Sequence, residues 1–289
     1  MSVTDEIKNV FTKSGNGLMR IILINSVVFL LVNIIEQSLR FSKSEHSLLY
    51  WLALPGNPLL ALTHVWTFIT YMFLHEGLLH ILFNMLWLYW LGKIFVEYLG
   101  SKRLIAVYFL GGISGGLLFL LTAILFPLHF NNTFLLGASA GVMAVVIATA
   151  VLLPNYVIRL LFFGPVKLKY LALVSFILTS IIDISQNTGG KISHIGGALF
   201  GVLFTLQHKK GSDITKPVSN FFDWVLSLFI RKSKMKVSFR KSVSDEEYNL
   251  SQKAKQQKID TILDKISKSG YESLTKDEKD FLFKTSGKS

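Results

Sequence analysis

No cysteine occurs among the 289 residues. Disulfides, thiolate-ligated zinc or iron–sulfur clusters and a thiol nucleophile are therefore excluded. Charge is also scarce, at 17% against about 25% in a soluble domain. The scarcity is local. Residues 78–208 hold nine charged side chains, whereas 209–289 hold 18 basic and 11 acidic ones. The net charge of +12 divides as 0 over 1–77, +5 over 78–208 and +7 over the remainder. A uniform soluble domain does not distribute charge this way. An apolar block with a polar N-terminal stretch and a basic tail does.

A membrane-spanning helix needs about 20 mostly apolar residues. Six stretches meet or approach this: 19–35, 78–98, 103–127, 137–154, 167–183 and 192–208. The last three are diluted by Gly, Ser or His. The pattern predicts an all-α membrane protein, a six-transmembrane-helix bundle with a small helical C-terminal tail. Lys8, Lys13 and Arg20 precede the first run as in a signal peptide. No small-x-small cleavage site follows, which predicts a retained span.

Basic residues orient membrane helices. One set of connections carries Lys8, Lys13, Arg20, Lys102, Arg103, Arg159, Lys167, Lys169, Lys209 and Lys210; the other carries only Arg40, Lys43 and Lys191. Both termini are thus predicted to be cytoplasmic, with 128–136 and 184–193 facing outward. The 37–77 connection is long and apolar, and Pro55, Gly56 and Pro58 break it between Trp51 and Trp66. It reads either as an interfacial, partly embedded element or as an ordinary outward loop.

Polar side chains inside spans are costly and become functional candidates. His80 and Asn84, four apart, share one helix face. Ser139 sits within Gly137-Ala138-Ser139-Ala140-Gly141, and His194 stands three residues before Gly197. The predicted topology places all of them toward the outward side. Helix packing is the alternative for each, and small residues four apart (Gly137/Gly141, Gly197/Gly201, Gly111/Gly115, Gly112/Gly116) let helices approach closely.

Together the four polar residues suit nucleophilic acyl transfer. A serine hydroxyl needs a base within hydrogen-bond reach, which His194 could supply. His80, Asn84 and the Ser139 backbone N–H are suitable oxyanion donors. Asp183 is the only carboxylate between 98 and 208, and it reads as a solvated boundary residue. A Ser–His dyad is therefore favoured over a triad. Gly137–Gly141 also matches the G-x-S-x-G elbow of soluble hydrolases. Residues 131–136 are too short for the buried strand that elbow requires.

Taken in order, His80-x-x-x-Asn84, Gly137-x-Ser139 and His194-x-x-Gly197-x-x-x-Gly201 resemble the three signatures of the rhomboid intramembrane serine proteases. Val65-Trp66-Thr67 and Phe68–Leu79 resemble the end of that family's first large loop. The resemblance extends over about residues 15–208. It implies a six-helix protease whose fourth span starts low, beneath a water-filled outward cavity. It also implies transmembrane protein substrates and no metal or organic cofactor. Ser139 would be the nucleophile and His194 the base. His80, Asn84 and the Ser139 amide would hold the oxyanion, and Gly137 would keep the backbone near the substrate carbonyl. Gly141, Gly197 and Gly201 would pack the helices around the site. Ala140 stands where the family usually has Gly, Met143 where an aromatic residue is common, and Trp66-Thr67 where Trp-Arg is common. None of these removes a reacting group. An inner-membrane location follows from a bacterial-type resemblance. A catalytically inactive adaptor that binds client helices is the alternative function.

The tail divides further. In 216–232, Phe221, Phe222, Trp224, Val225, Leu228 and Phe229 share one helical arc between basic ends, as in a helix lying on the bilayer surface. Lys234, Lys236, Arg240 and Lys241 extend the basic patch, which suits a lipid surface better than nucleic acid. Ile259, Ile262, Leu263 and Ile266 follow helical spacing up to Gly270. Thr275 and Glu278 form a capping box opening a second helix. The expected organisation is 1–18 N-terminus, 19–208 protease domain, 209–250 basic segment and linker, and 251–289 helical hairpin, with an unidentified partner.

Overall fold

Each apolar run becomes a helix because a backbone surrounded by hydrocarbon must satisfy its own N–H and C=O groups. The computed structural model describes residues 5, 9–10, 15–41, 47–160, 163–182, 188–229 and 245–286. Helix α1 spans Gly17–Phe41, α2 Leu78–Leu99, α3 Ser101–Leu125, α4 Ser139–Leu152, α5 Leu168–Ile177 and α6 Thr188–Lys209. A π-helical turn, Leu178–Ile182, prolongs α5. The six expected helices are all present, and the chain is an all-α membrane protein with a rhomboid-like bundle. Among the described residues, α1, α2 and α3 are individually long and apolar enough to cross a bilayer. Helices α4 and α5 are shorter, and α6 is diluted by Gly, Ser, His and Lys.

Burial explains why α4 can be so short. Ten of its fourteen residues are buried, so it is enclosed by other helices rather than by lipid. Its main neighbours are α3 and α6, which also pack against each other, and α1 lies outside against α2 and α3. A buried polar chain fixes α1: Asn25 Nδ2 donates to Tyr108 Oη at 3.2 Å, and that hydroxyl donates to the Met72 carbonyl at 3.2 Å.

The 37–77 connection is a folded element, not a plain loop. Ser47 caps a short helix, Leu48–Leu52, and Asn57 caps another, Pro58–Thr63. Strand β1, Leu54–Pro55, pairs antiparallel with β2, Phe134–Leu135. Ala53, Leu54, Ala61, Tyr71 and Met72 are fully buried, while Trp51 and Trp66 stay exposed. Trp66 Nε1 donates to the Trp51 carbonyl at 2.8 Å.

Two features depart from the sequence reading. Strands β3, Val157–Leu160, and β4, Gly164–Lys167, form an antiparallel hairpin between α4 and α5. Its alternation of exposed Val157 and Arg159 with half-buried Ile158 and Leu160 is too short to stand out between apolar runs. In the tail, helix α7 covers Lys216–Phe229. Phe222 packs against Phe109 of α3 with ring centroids 5.0 Å apart and the rings tilted by 40°, leaving Phe221 and Trp224 exposed. Asp213 anchors the entry to α7, accepting from Arg103 Nε at 2.8 Å and from the Thr215 backbone N–H at 3.0 Å.

The chain separates into two compact units, Met1–Arg231 and Lys232–Ser289. Within the second, α8 runs Asp245–Ser269, Gly270 ends it at φ 74°, and α9 runs Lys276–Ser286. Helix α8 begins inside the stretch read as linker, where Asp245, Glu246 and Glu247 favour the positive end of the helix dipole. The capping box closes as expected: Thr275 N–H donates to Glu278 Oε2 at 2.8 Å, and Glu278 N–H to Thr275 Oγ1 at 3.4 Å. Lys8, Lys13, Lys43, Asp183, Lys234, Lys236, Arg240 and Lys241 lie outside the described residues, as do the side chains of Val225, Leu228 and Phe229.

Candidate active site

Helix α4 starts at Ser139 because the two preceding residues turn the chain sharply. Gly137 has φ 128°, a conformation that side chains disfavour. Its N–H donates to the Tyr71 carbonyl at 2.9 Å, tying the turn to the folded 37–77 element. The first N–H groups of a helix have no partner within it. Ser139 therefore presents both its hydroxyl and a backbone donor at the positive end of α4.

His80 stands directly across this turn. A Cβ placed on Gly137 would lie 3.2 Å from both Cε1 and Nε2 of His80 and 3.5 Å from Ser139 Oγ. The glycine thus leaves room for an imidazole edge and a serine hydroxyl on either side of one backbone turn. Asn84, one helical turn along α2, is buried and donates one amide hydrogen to the His80 carbonyl at 2.9 Å. Its second amide hydrogen is still available to another acceptor.

Helix α6 brings His194 to the same place by backbone contact. A Cβ on Gly197 would overlap the Ala140 carbonyl oxygen, and one on Gly201 would come within 2.5 Å of the Ala144 oxygen. The residue after Ser139 is therefore pressed against the α6 backbone one turn from His194. Gly141 faces the other way, onto α3, where a Cβ would lie 2.6 Å from the Tyr108 oxygen. The pair Gly137/Gly141 consequently divides its duties: Gly141 packs helices, while Gly137 makes a turn and a space.

Between these elements lies a cavity of about 440 Å³ whose wall includes His80, Asn84, Ser139 and His194. Three helices that are distant in sequence thus deliver all four polar candidates to one space. Ser175 and Thr179 add hydroxyls from α5 and its π-turn, and Phe83, Trp87, Met143 and Leu178 supply apolar wall. Met143, at the position where the resemblance leads one to expect an aromatic residue, is part of that wall. Helix α4, at about 1.5 Å per residue, is roughly 21 Å long, shorter than the hydrocarbon core of about 30 Å. If it ends at one interface, its Ser139 end lies roughly 9 Å below the other.

Sequence reasoning missed a residue packed against His80 and one wall of the cavity. His75 is buried with its ring centroid 5.1 Å from that of His80. Its place just before α2, in a segment read only as connection, concealed it, although His75 and His80 occur five apart. The wall from α5 was also missed, because Ser175 and Thr179 are ordinary span residues until α5 is seen to face α2.

A family model described as the Rhomboid domain matches residues 62–209, and a family of unknown function (DUF6576) matches residues 243–288. Similar curated proteins include the Rhomboid protease GlpG of Salmonella newport (strain SL254), of Salmonella heidelberg (strain SL476) and of Salmonella typhi. Each is 38% identical over 72 residues, and the match covers 25% of this chain and 26% of the relative.

Proposed function

The chain belongs to the rhomboid family, and on that premise we propose that it is an intramembrane serine endopeptidase acting through a Ser139–His194 dyad. The observation that carries this reading is the convergence of Ser139, His194, His80 and Asn84 on one cavity from three separate helices. Its substrates are membrane proteins cut in or near a transmembrane segment.

In this mechanism Ser139 Oγ attacks the scissile carbonyl while His194 takes its proton. The carbonyl oxygen becomes an oxyanion held by His80, the second Asn84 amide hydrogen and the Ser139 backbone N–H. His194 then protonates the departing amine, and the acyl-enzyme forms. A water molecule, deprotonated by His194, attacks the ester and restores Ser139. Because the donors are fixed by helix and turn, they need little reorganisation as charge develops. The ten-to-three excess of basic residues supports cytoplasmic tails, which puts the Ser139 end of α4 toward the outward side, from which water would reach it. An inner (plasma) membrane fits this orientation.

The deciding experiment is cleavage of a model transmembrane substrate by the Ser139→Ala variant, reconstituted beside the unaltered chain. Cleavage should vanish while the variant remains folded in detergent. Persistence at the original rate would overturn the mechanism. Labelling of Ser139 by a fluorophosphonate separates a protease from an adaptor, since only an activated serine reacts readily.

A further inference from the structure

A lysine within a span demands an explanation. Lys93 lies fifteen residues into α2, about 22 Å from its catalytic end along the axis, and its side chain is exposed. An ammonium at that depth is costly unless it reaches the interface and meets an anion. Arg159, on the β3–β4 hairpin, faces the same space. Together with Tyr89, Trp90, Tyr156 and Leu171 they line a groove of about 770 Å³ between α2, the hairpin and α5.

The lining contains two cations and no carboxylate. Among the described residues, no ion pair engages either Lys93 or Arg159. Glu97, one turn beyond Lys93, is exposed and does not line the groove. Aromatic residues with polar edges, here Tyr89, Trp90 and Tyr156, characterise the level where acyl chains meet headgroups. Further toward the outward end of α2 the wall continues with Trp87, and α5 supplies Leu171. The groove therefore offers positive charge and aromatic edges at one level and hydrocarbon surface next to it.

We propose that this groove binds an anionic phospholipid of the cytoplasmic leaflet. Its phosphate would sit with Lys93 and Arg159, and its acyl chain would lie along Trp90, Trp87 and Leu171. Anionic lipids are attracted to such basic positions at the cytoplasmic surface. Two cations with no carboxylate partner favour a lipid phosphate over a zwitterionic headgroup. The inference rests on the membrane orientation proposed above but not on peptide-bond cleavage.

Native mass spectrometry of the full chain in neutral detergent tests this. Dioleoyl phosphatidylglycerol, dioleoyl phosphatidylcholine and glycerol 3-phosphate would each be added at matched concentrations. The expected result is retention of phosphatidylglycerol in preference to phosphatidylcholine, with no retention of glycerol 3-phosphate. The Lys93→Gln/Arg159→Gln variant should weaken phosphatidylglycerol binding at least about tenfold, whereas Lys93→Arg/Arg159→Lys should retain it. If the double glutamine variant does not fold, Arg159→Gln alone, on the exposed hairpin, decides by the same loss of retention. Equal retention of the two lipids, undiminished binding by the glutamine variants, or equally strong binding of glycerol 3-phosphate would overturn the proposal. Fluorophosphonate labelling of Ser139 is read separately, so failure here and failure of the protease mechanism are distinguishable.

Discussion

Replacing Gly197 by alanine adds one methyl group and sets two opposed effects against each other. On an unobstructed helix the change would be favourable, by about 1 kcal/mol of helix propensity. Here the new Cβ would overlap the Ala140 carbonyl oxygen and lie 2.8 Å from its carbon and 3.1 Å from its Cα. These are backbone atoms of α4, so no side chain can rotate away. Ordinary carbon contacts begin near 3.5 Å, and relief needs α4 and α6 to part by about 1 Å. Overpacking of this kind costs about 1–3 kcal/mol, and an unyielding backbone places it toward the upper end. The net expectation is a destabilisation of about 1–2 kcal/mol. The same displacement moves His194 away from Ser139, and a misplacement of about 1 Å can lower turnover by about 10²-fold. Thermal unfolding in detergent and fluorophosphonate labelling would measure both, with Leu199→Ala on the exposed face of α6 as the control. A Gly197→Ala chain that is more stable and labels at the original rate would refute the close seam and the placement of His194 derived from it.

Removing oxyanion donors should act on turnover. His80→Ala and Asn84→Ala are each expected to lower kcat about 10²–10³-fold, with a much smaller change in KM, measured on a reconstituted transmembrane substrate. An unchanged kcat in either would remove that residue from the oxyanion site. In the tail, the Thr275 backbone N–H and then Lys265 hold the Glu278 carboxyl down at about 2. A depressed carboxylate stabilises the fold above its ordinary titration near 4.5, and that contribution fades as pH falls toward 2. A ¹³C titration of Glu278 in the full chain should therefore show a midpoint near 2, shifted upward by Lys265→Ala; a midpoint near 4.5 in the unaltered chain would contradict the capping geometry.

The spans were legible because hydrocarbon forces a helix on any long apolar run, and the run lengths are visible in the sequence. The site candidates were legible for the complementary reason: His80, Asn84, Ser139 and His194 stand out where polar groups are rare. What the sequence concealed depends on contacts between distant segments. The two-residue pairing of Leu54–Pro55 with Phe134–Leu135 leaves no periodic trace, and the hairpin around Arg159 is shorter than the runs that flank it. Gly137 and Gly141 look alike in sequence, four apart, yet only the φ of Gly137 and its nearness to His80 reveal that one shapes the turn and the other the packing. His75 could have been found from its spacing to His80, but its burial could not.

The glycine seam has a consequence for how such a chain can diversify. Where α6 meets α4, backbone touches backbone at Gly197 and Gly201, and no set of alternative side chains could be exchanged without forcing the helices apart. Phe83, Trp87, Met143, Leu178 and Thr179, by contrast, form cavity wall contributed by α2, α4 and the turn that prolongs α5. None of them occupies a glycine position in that seam. The seam and the cavity wall are thus built from separate sets of positions. Lineages could change the wall one residue at a time, while the seam that brings the Ser139 and His194 helices together stays the same.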